Sequence, residues 1–432
     1  MTDTSSILTV PRVIRFWLPL AGTWLMMAAE GPFLAAVIAR LADPTYNLAA
    51  YGVAYSLALL VEAPVIMMMS ASTALVKDPV SYRRLRDFTN VLNLALTAVM
   101  LLLLIPPVFD LLARDLLGLK PVVAGHTRLA VAFLLPWPGA IGFRRFYQGL
   151  LIRSGRTRLV AAGTVLRLAA MAATGSALAF KSALPGAAVG AAALSAGVVV
   201  EAAASRLMAL WAVRETLART PDSGAPGLAA ILSFYWPLAT TSLLSLGIQP
   251  VVTFFMGRAP AALQSLAVLP VVMALVFIFR SLGLAAQEVF IALAGERGEH
   301  LQVLRRFALG LAATVAGGLA LIAWTPLADL WFVDVSGLEP ELARFALLPV
   351  RILAPIPALT VWLSWQRALC VNRRATRAVT WATTIEVVGV VAVLTLAVAG
   401  LGWVGAVAAA AALLTGRLSA NLYLHRQLAD SG

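Results

Sequence analysis

The sequence predicts an all-α integral membrane protein, with twelve transmembrane helices in two pseudo-symmetric six-helix bundles. The 432-residue chain is 61% hydrophobic and only 12% charged, too apolar for a water-facing domain. Its apolar runs are long and do not alternate, and about 20 such residues cross a bilayer as a helix. Several motifs also recur about half a chain length apart, which predicts that the bundle is built twice.

The predicted spans are separated by short segments rich in Gly, Pro and charged residues. The longest polar stretch in mid-chain, residues 218–227, is predicted to be a cytoplasmic linker. It would join an N-terminal six-helix lobe, 1–217, to a C-terminal six-helix lobe, 228–432. Spans 1 to 12 are predicted at 13–39, 48–76, 88–113, 126–152, 158–181, 186–214, 228–257, 261–294, 304–331, 341–371, 376–399 and 402–425.

The basic residues predict the orientation of these spans. With a cytoplasmic N-terminus, the cytoplasmic segments hold 18 Lys and Arg and the opposite segments hold 7. This bias predicts that both termini are cytoplasmic in a multi-pass protein of the cell (inner) membrane. The net charge of +13 is attributed to topology and to contact with anionic lipid head groups rather than to nucleic acid.

An internal repeat supports the two-lobed fold. The stretch FWLPLA at 16–21 recurs as FYWPLA at 234–239, and Thr157-Arg158 recurs as Thr376-Arg377. Pro136 and Pro138 recur as Pro355 and Pro357, and the triplet at 189–191 recurs at 404–406. Because each half has six spans, both halves insert the same way up, with a pathway between them. This favours a transporter over a duplicated scaffold that transports nothing.

Charged residues inside the spans are the candidate functional groups, because each is costly in lipid unless it is paired or hydrated. Two pairs follow the repeat with inverted sign: Glu62 with Arg280, and Arg167 with Glu386. Either they form a structural ion-pair network, or they bind substrate and carry protons. Arg206 and Arg367, near span ends, are expected to extend to the membrane surface. The substrate candidates are Arg280, Arg351, Gln249, Arg145 and Arg167, and the proton-coupling candidates are Glu30, Glu62 and Glu386.

Several enzyme motifs are missing from the sequence. It has no G-x-x-x-x-G-K-[ST], H-E-x-x-H or G-x-S-x-G pattern, and its three histidines lie far apart. No enzyme activity, cofactor or metal site is therefore expected. An ion gradient or the substrate gradient is expected to drive transport, with H⁺ as the coupling ion and a monomer as the working unit.

Five stretches resemble the progressive ankylosis protein family: AAEGPFLAAV (28–37), LAAYGVAYSLALL (48–60), GLLIRSG (149–155), LSFYWPLA (232–239) and LLPVRILAPIPALTV (347–361). That family is placed in the multidrug/oligosaccharidyl-lipid/polysaccharide exporter superfamily, which includes the multidrug and toxic-compound extrusion (MATE) transporters. The resemblance implies a MATE-like fold, a cleft lined by spans 1, 2, 7 and 8, and export of organic anions. By position it best supports Glu30 and Arg351. The chain departs from the family at Leu246 and Gln249, where the family has basic residues.

The sequence thus predicts a secondary active exporter of an organic anion or amphiphilic small molecule. Two alternatives stay open, namely a flippase for a lipid or lipid-linked substrate and cation-coupled multidrug efflux. A hydrated, charged cleft would favour the exporter, and a laterally open, apolar one would favour the flippase.

The orientation can be tested in the linker with Ser223→Cys in a chain whose single native cysteine, Cys370, is replaced by serine. A membrane-impermeant maleimide is expected to label the new cysteine in inverted vesicles and not in intact cells. Labelling of intact cells would place the linker outside and reverse the predicted topology.

Overall fold

The structure is a computed structural model that describes residues 8–220, 227–294, 299–373 and 375–430, and all regular secondary structure in these residues is helical. Eleven of its helical segments are long and apolar enough to cross a membrane. They correspond to every predicted span except span 4. Their bounds are Val10–Ala39, Pro44–Leu75, Pro79–Leu104, Thr157–Lys181, Gly186–Met208, Leu228–Arg258, Ala262–Leu293, Leu301–Trp324, Pro340–Cys370, Arg377–Gly400 and Gly405–Ala429.

Span 4 is formed by two helices, Pro121–Phe133 and Trp137–Arg153. Each is shorter than the roughly 20 residues that usually cross a bilayer, and the second carries three arginines. The break falls at Pro136, because proline donates no backbone hydrogen bond and restricts the residue before it. Span 10 breaks in the equivalent place, between Leu353 and Ile356, where the predicted equivalent Pro355 lies. The predicted twelve-helix fold therefore agrees with the structure.

The backbone repeats with an offset of 218 to 219 residues. After span 3 the chain forms a π-helical turn, Leu111–Leu116, and after span 9 it forms another, Leu330–Val335. Gly118 and Gly337 follow these turns with φ of 67° and 74°, a left-handed conformation that glycine adopts without strain. Prolines 121 and 340 then begin the next helices. The two halves therefore share local backbone geometry as well as helix order.

One predicted match in the repeat is wrong. Residues 189–191 do not correspond to 404–406, because spans 6 and 12 begin at Gly186 and Gly405, 219 positions apart. The crossing glycines confirm the longer offset. A Cβ at Gly197 would lie 2.9 Å from the Arg167 carbonyl oxygen, and a Cβ at Gly416 would lie 2.8 Å from that of Glu386. The triplet match is displaced by about one helical turn, within two alanine-rich helices.

The chain divides into two compact units that do not follow the predicted boundary at 218–227. The N-terminal unit is Phe33–Ala267, and the C-terminal unit contains the described residues of Met1–Pro32 and Val268–Gly432. The first part of span 1 therefore belongs with spans 8 to 12, and span 7 belongs with spans 2 to 6. The division of the chain into an N-terminal lobe of six spans, a linker and a C-terminal lobe of six spans stays a prediction.

The twin motifs FWLPLA and FYWPLA make equivalent contacts in the two units. In the C-terminal unit, Trp17 Nε1 donates to the Leu282 carbonyl at 3.1 Å, and the ring meets Phe307 edge-on at 5.7 Å. In the N-terminal unit, the Tyr235 hydroxyl donates to the Pro64 carbonyl, and its ring meets Phe88 edge-on at 5.3 Å.

Every partner in these contacts is shifted by the same repeat. Trp17 and Tyr235 are 218 positions apart, as are Pro64 and Leu282, while Phe88 and Phe307 are 219 apart. Each aromatic side chain buries its ring and donates its polar hydrogen to a carbonyl, as buried Trp and Tyr require. The repeated motif therefore packs span 1 against spans 8 and 9, and span 7 against spans 2 and 3.

The close crossing of spans 5 and 6 predicts the effect of a single methyl group. Gly197→Ala is expected to destabilise the protein by about 1–3 kcal/mol, because the new Cβ meets backbone that cannot move aside. Gly310→Ala in span 9 is the matched control, since no atom lies within 4 Å of a Cβ there. Thermal unfolding in detergent, followed by tryptophan fluorescence, measures both; equal unfolding temperatures would contradict the close crossing.

Candidate functional site

Six polar residues from spans 2, 4, 5 and 6 form an N-terminal charge cluster inside the N-terminal unit. Glu201 is its centre and has no exposed surface, 0%. Its Oε2 accepts a hydrogen bond from Arg144 and lies 3.4 Å from Arg167 Nε, and its Oε1 accepts from Gln148 Nε2 at 3.1 Å. The members are Glu62, Arg144, Arg145, Gln148, Arg167 and Glu201.

Glu62 belongs to the same cluster, but its surroundings differ from those of Glu201. It ends the helix Pro44–Glu62, directly before a 3₁₀ turn that contains Pro64. The side chain is 4% exposed, and its buried Oε2 accepts no hydrogen bond. The positive charges that act on it are those of Arg145, Arg144 and Arg167. A buried acceptor without a donor is costly, so Glu62 is a carboxylate that a proton or a ligand can satisfy.

Positive charge exceeds negative charge in this cluster. Three arginines face two glutamates, and Arg206 of span 6 lies close by, with its guanidinium 5.0 Å from the centre of the Tyr147 ring. One nitrogen of Arg206, Nη1, is buried without a hydrogen bond. The guanidinium packs on an aromatic ring, and the extension of Arg206 to the membrane surface stays a prediction.

A second group, the C-terminal charge cluster, lies in the C-terminal unit. Arg417 Nη2 donates to the buried Glu386 Oε1 at 2.8 Å, and Arg367 Nη2 donates to Thr383 Oγ1 at 3.3 Å. The charged groups that act on Arg280 are Arg417, Glu386 and Arg367. The predicted extension of Arg367 to the surface is wrong, because it bonds a threonine one turn from Glu386 and its Nε is buried.

Sequence reasoning missed Gln148 and Arg417, and it recognised Arg144 and Glu201 only as charges inside spans, not as candidate site residues. Gln148 is neutral, so a search for charged residues passes over it. Arg417 does lie inside predicted span 12, and its charge was a usable signal. Its importance comes from pairing with Glu386, which depends on how the two helices are rotated.

In each cluster an ion pair joins the last two helices of the half, and the positions of the positive and negative residues are exchanged between the two clusters. Arg167 of span 5 pairs with Glu201 of span 6, whereas Glu386 of span 11 pairs with Arg417 of span 12. The sign inversion predicted at positions 167 and 386 is thus matched by an inverted partner. In each lobe, a buried charge is compensated by an opposite charge on the next helix, and the signs are exchanged between the two lobes.

Arg351 is not brought together with Arg280. It is exposed, and its Nε donates to the Ala323 carbonyl at 3.0 Å, near the end of span 9. Arg128 makes the equivalent bond in the other unit, from Nε and Nη2 to the Leu104 carbonyl at 3.2 and 3.0 Å. Leu104 and Ala323 are 219 positions apart. Both arginines cap carbonyls at a helix end, and a role of Arg351 in substrate binding stays a prediction.

The two remaining candidates lie at helix breaks. Glu30 is half-buried at the start of the helix Glu30–Ala39, after a break in span 1. Gln249 is half-buried one residue into the helix Ile248–Arg258, after a break at Gly247 in span 7. Their roles in coupling and substrate binding stay predictions.

An open groove of about 540 Å³ lies on the N-terminal unit between spans 3, 4 and 6. Span 3 contributes three polar side chains from one face near its middle, and the Oδ1 atom of one of them, Asn93, is buried without a hydrogen bond. The other walls are small or apolar. The lining residues are Asn90, Asn93, Leu94, Thr97, Gly139, Ala140, Phe143, Val199 and Ala202.

The helical architecture is that of the MATE transporters, and the chain is a multi-pass membrane protein with this fold. No protein-family model and no curated protein matches the sequence, but solved structures do. An inward-facing multidrug resistance MATE family transporter of the MOP superfamily superposes with a TM-score of 0.72 and 15% identity, over 95% of this chain and 94% of that one. The lipid II flippase MurJ gives 0.71 and 12%, over 95% and 87%. A MOP superfamily transporter from Pyrococcus furiosus, described as having a binding pocket of reverse polarity, gives 0.64 and 16%, over 96% and 95%.

The buried pairs make a testable contribution to stability. Glu201→Gln is expected to destabilise the protein by about 3–5 kcal/mol, because it leaves two buried arginines without their counter-charge. Glu288→Gln is the control, since Glu288 is exposed on span 8. Thermal unfolding in detergent separates the two variants, and a Glu201→Gln protein as stable as the control would show that the pair is dispensable.

Proposed function

We propose that this protein is a secondary active transporter that exports an organic anion or an amphiphilic small molecule by alternating access. The observation that carries the proposal is the excess of arginine over carboxylate in both buried clusters. Arginine keeps its charge when buried and can grip carboxylate or phosphate with two parallel hydrogen bonds. The MATE fold supports a transporter rather than an enzyme, since its solved examples include multidrug transporters and a lipid II flippase.

We further propose that protons couple transport through Glu62. Its unbonded Oε2 lies buried among three arginines, so protonation changes the net charge of the N-terminal cluster without breaking an existing hydrogen bond at that atom. The 3₁₀ turn that follows Glu62 accepts the Tyr235 hydroxyl bond from span 7. A change of charge at Glu62 is therefore adjacent to the contact that holds span 7 in this unit.

The sequence resemblance to the progressive ankylosis family supports export of an organic anion in particular. The protein would act in the cell membrane with both termini cytoplasmic. A flippase is the second candidate, and the open groove between spans 3, 4 and 6 favours it. That groove combines a polar stripe with apolar walls, which suits an amphiphile with a polar head and an apolar body.

Transport into proteoliposomes tests the proposal. Purified protein is reconstituted, a pH or sodium gradient is imposed, and uptake of labelled citrate, labelled ATP and a cationic dye is measured. The wild-type protein is expected to move an anion faster with a pH gradient than with a sodium gradient. Glu62→Gln is expected to lose at least about tenfold of the pH-driven rate, which is about 1.4 kcal/mol in the barrier.

Glu288→Gln provides the matched control, because it removes an exposed carboxylate and should keep the pH-driven rate. Undiminished pH dependence in Glu62→Gln would remove Glu62 from coupling. Uptake of the cationic dye alone would replace anion export with multidrug efflux, and movement of a labelled lipid alone would favour the flippase.

A further inference from the structure

We infer that the C-terminal charge cluster is a binding site for an oxyanion, a carboxylate or phosphate group held by Arg280, Arg367 and Arg417. This inference deepens the proposed function and rests on it, because it names the chemical group that the C-terminal unit would bind. It assigns the site to three arginines of spans 8, 10 and 12 and leaves out Arg351.

The first support is the local balance of charge. Arg417 pairs with Glu386, and the charges of Glu386 and Arg417 also act on Arg280 and Arg367. Glu386 is the only buried carboxylate among the described residues of the C-terminal unit. The N-terminal cluster, by contrast, sets two glutamates against its three arginines. Arginine does not lose its proton at ordinary pH. Two positive charges therefore stay uncompensated in a medium where each unpaired charge costs several kcal/mol.

The second support is a set of unused hydrogen-bond donors. The Nε atoms of Arg280, Arg367 and Arg417 are all buried, and none has a hydrogen-bond partner. Two of these guanidinium groups are already held by protein oxygens through Nη2, on Thr383 and on Glu386. Their position is therefore fixed by the protein while N–H groups stay available. An oxyanion offers several lone pairs, so it can accept from more than one of these donors at once.

Neutral groups in the same helices do not remove the need for an anion. Gln366 Oε1 and Asn421 Oδ1 are buried acceptors that lack donors, and water could connect them to the arginines. Gln366 donates to the Asn421 carbonyl, and Asn421 donates to the carbonyls of Leu359 and Arg417. Such bonds hold the helix of Arg417 in place, but an amide oxygen cancels no charge.

Thermal unfolding of the purified protein in detergent tests this site without any transport step. Sodium phosphate, sodium acetate and sodium chloride are compared at equal ionic strength and fixed pH. A ligand that binds only the folded state raises its stability with a saturable dependence on concentration. We expect saturable increases of a few degrees with phosphate or acetate, and none with chloride. General salt effects instead grow steadily and do not saturate.

Three variants locate the response. Arg280→Gln and Arg367→Gln each remove a charge but leave the Glu386–Arg417 pair, so both should fold, and each is expected to lose the saturable response. Arg351→Gln is the matched control, because it removes an arginine of the same unit that caps a helix end. It should unfold at a lower temperature and keep the full response.

Distinct results would overturn the inference. Absence of any saturable response in wild-type protein would show that the cluster binds no oxyanion, while proteoliposome transport would still test the proposed function separately. An unchanged response in both Arg280→Gln and Arg367→Gln would place the anion elsewhere. A response to chloride equal to that to phosphate would replace the oxyanion with a monatomic anion.

Discussion

A buried ion pair between the fifth and sixth helices of each half is the constraint on which the rest of this structure depends. Arg167 meets Glu201 in one unit, and Glu386 meets Arg417 in the other. A single charge in these helices would be too costly for a bilayer. Each pair therefore fixes the rotation and depth of two spans, and a glycine at the crossing lets their backbones come close enough. The other cluster members then add to a geometry that this pair has already set.

The twin aromatic motifs hold a different helix in each unit. Because Trp17 and Tyr235 bond equivalent carbonyls, the first helix of each half packs on helices of the other half. In each contact, an aromatic ring on a proline-containing helix packs against another ring and donates a hydrogen bond to one backbone carbonyl. Because both halves use this contact, the aromatic pair followed by proline occurs twice. It also explains why the compact units depart from the midpoint of the sequence. Most of span 1 thus packs in the unit formed by spans of the second half, and span 7 packs in the unit formed by spans of the first half.

The fold was predictable because its determinants add up along the chain. Hydrophobic length, breaks at proline and repeated motifs are local signals, and they predicted twelve spans even where Arg144 and Arg145 mask the fourth from a hydropathy count. The sites were only partly predictable. The inverted signs at 167 and 386 followed from the repeat, but Arg417 and Gln148 gained their roles from helix rotation, which no linear pattern specifies. Arg351 was selected through a family resemblance, yet its carbonyl partner on span 9 is visible only in three dimensions.

The three candidate functions, namely anion export, lipid flipping and cation-coupled multidrug efflux, differ in the charge that each would need around its substrate. A cation-coupled efflux protein for cationic drugs needs acidic surfaces, because a cationic substrate gains energy from carboxylates and loses it near fixed guanidinium groups. Both buried clusters of this chain carry excess arginine, and the C-terminal one holds a single carboxylate that is already bonded. An excess of arginine of this kind is unfavourable for a cationic substrate. Under the proposed function, an anionic group on the substrate would satisfy this arrangement whether it belongs to a small molecule or to the head of an amphiphile. The apolar part of the substrate, rather than its charge, would then distinguish an exporter from a flippase.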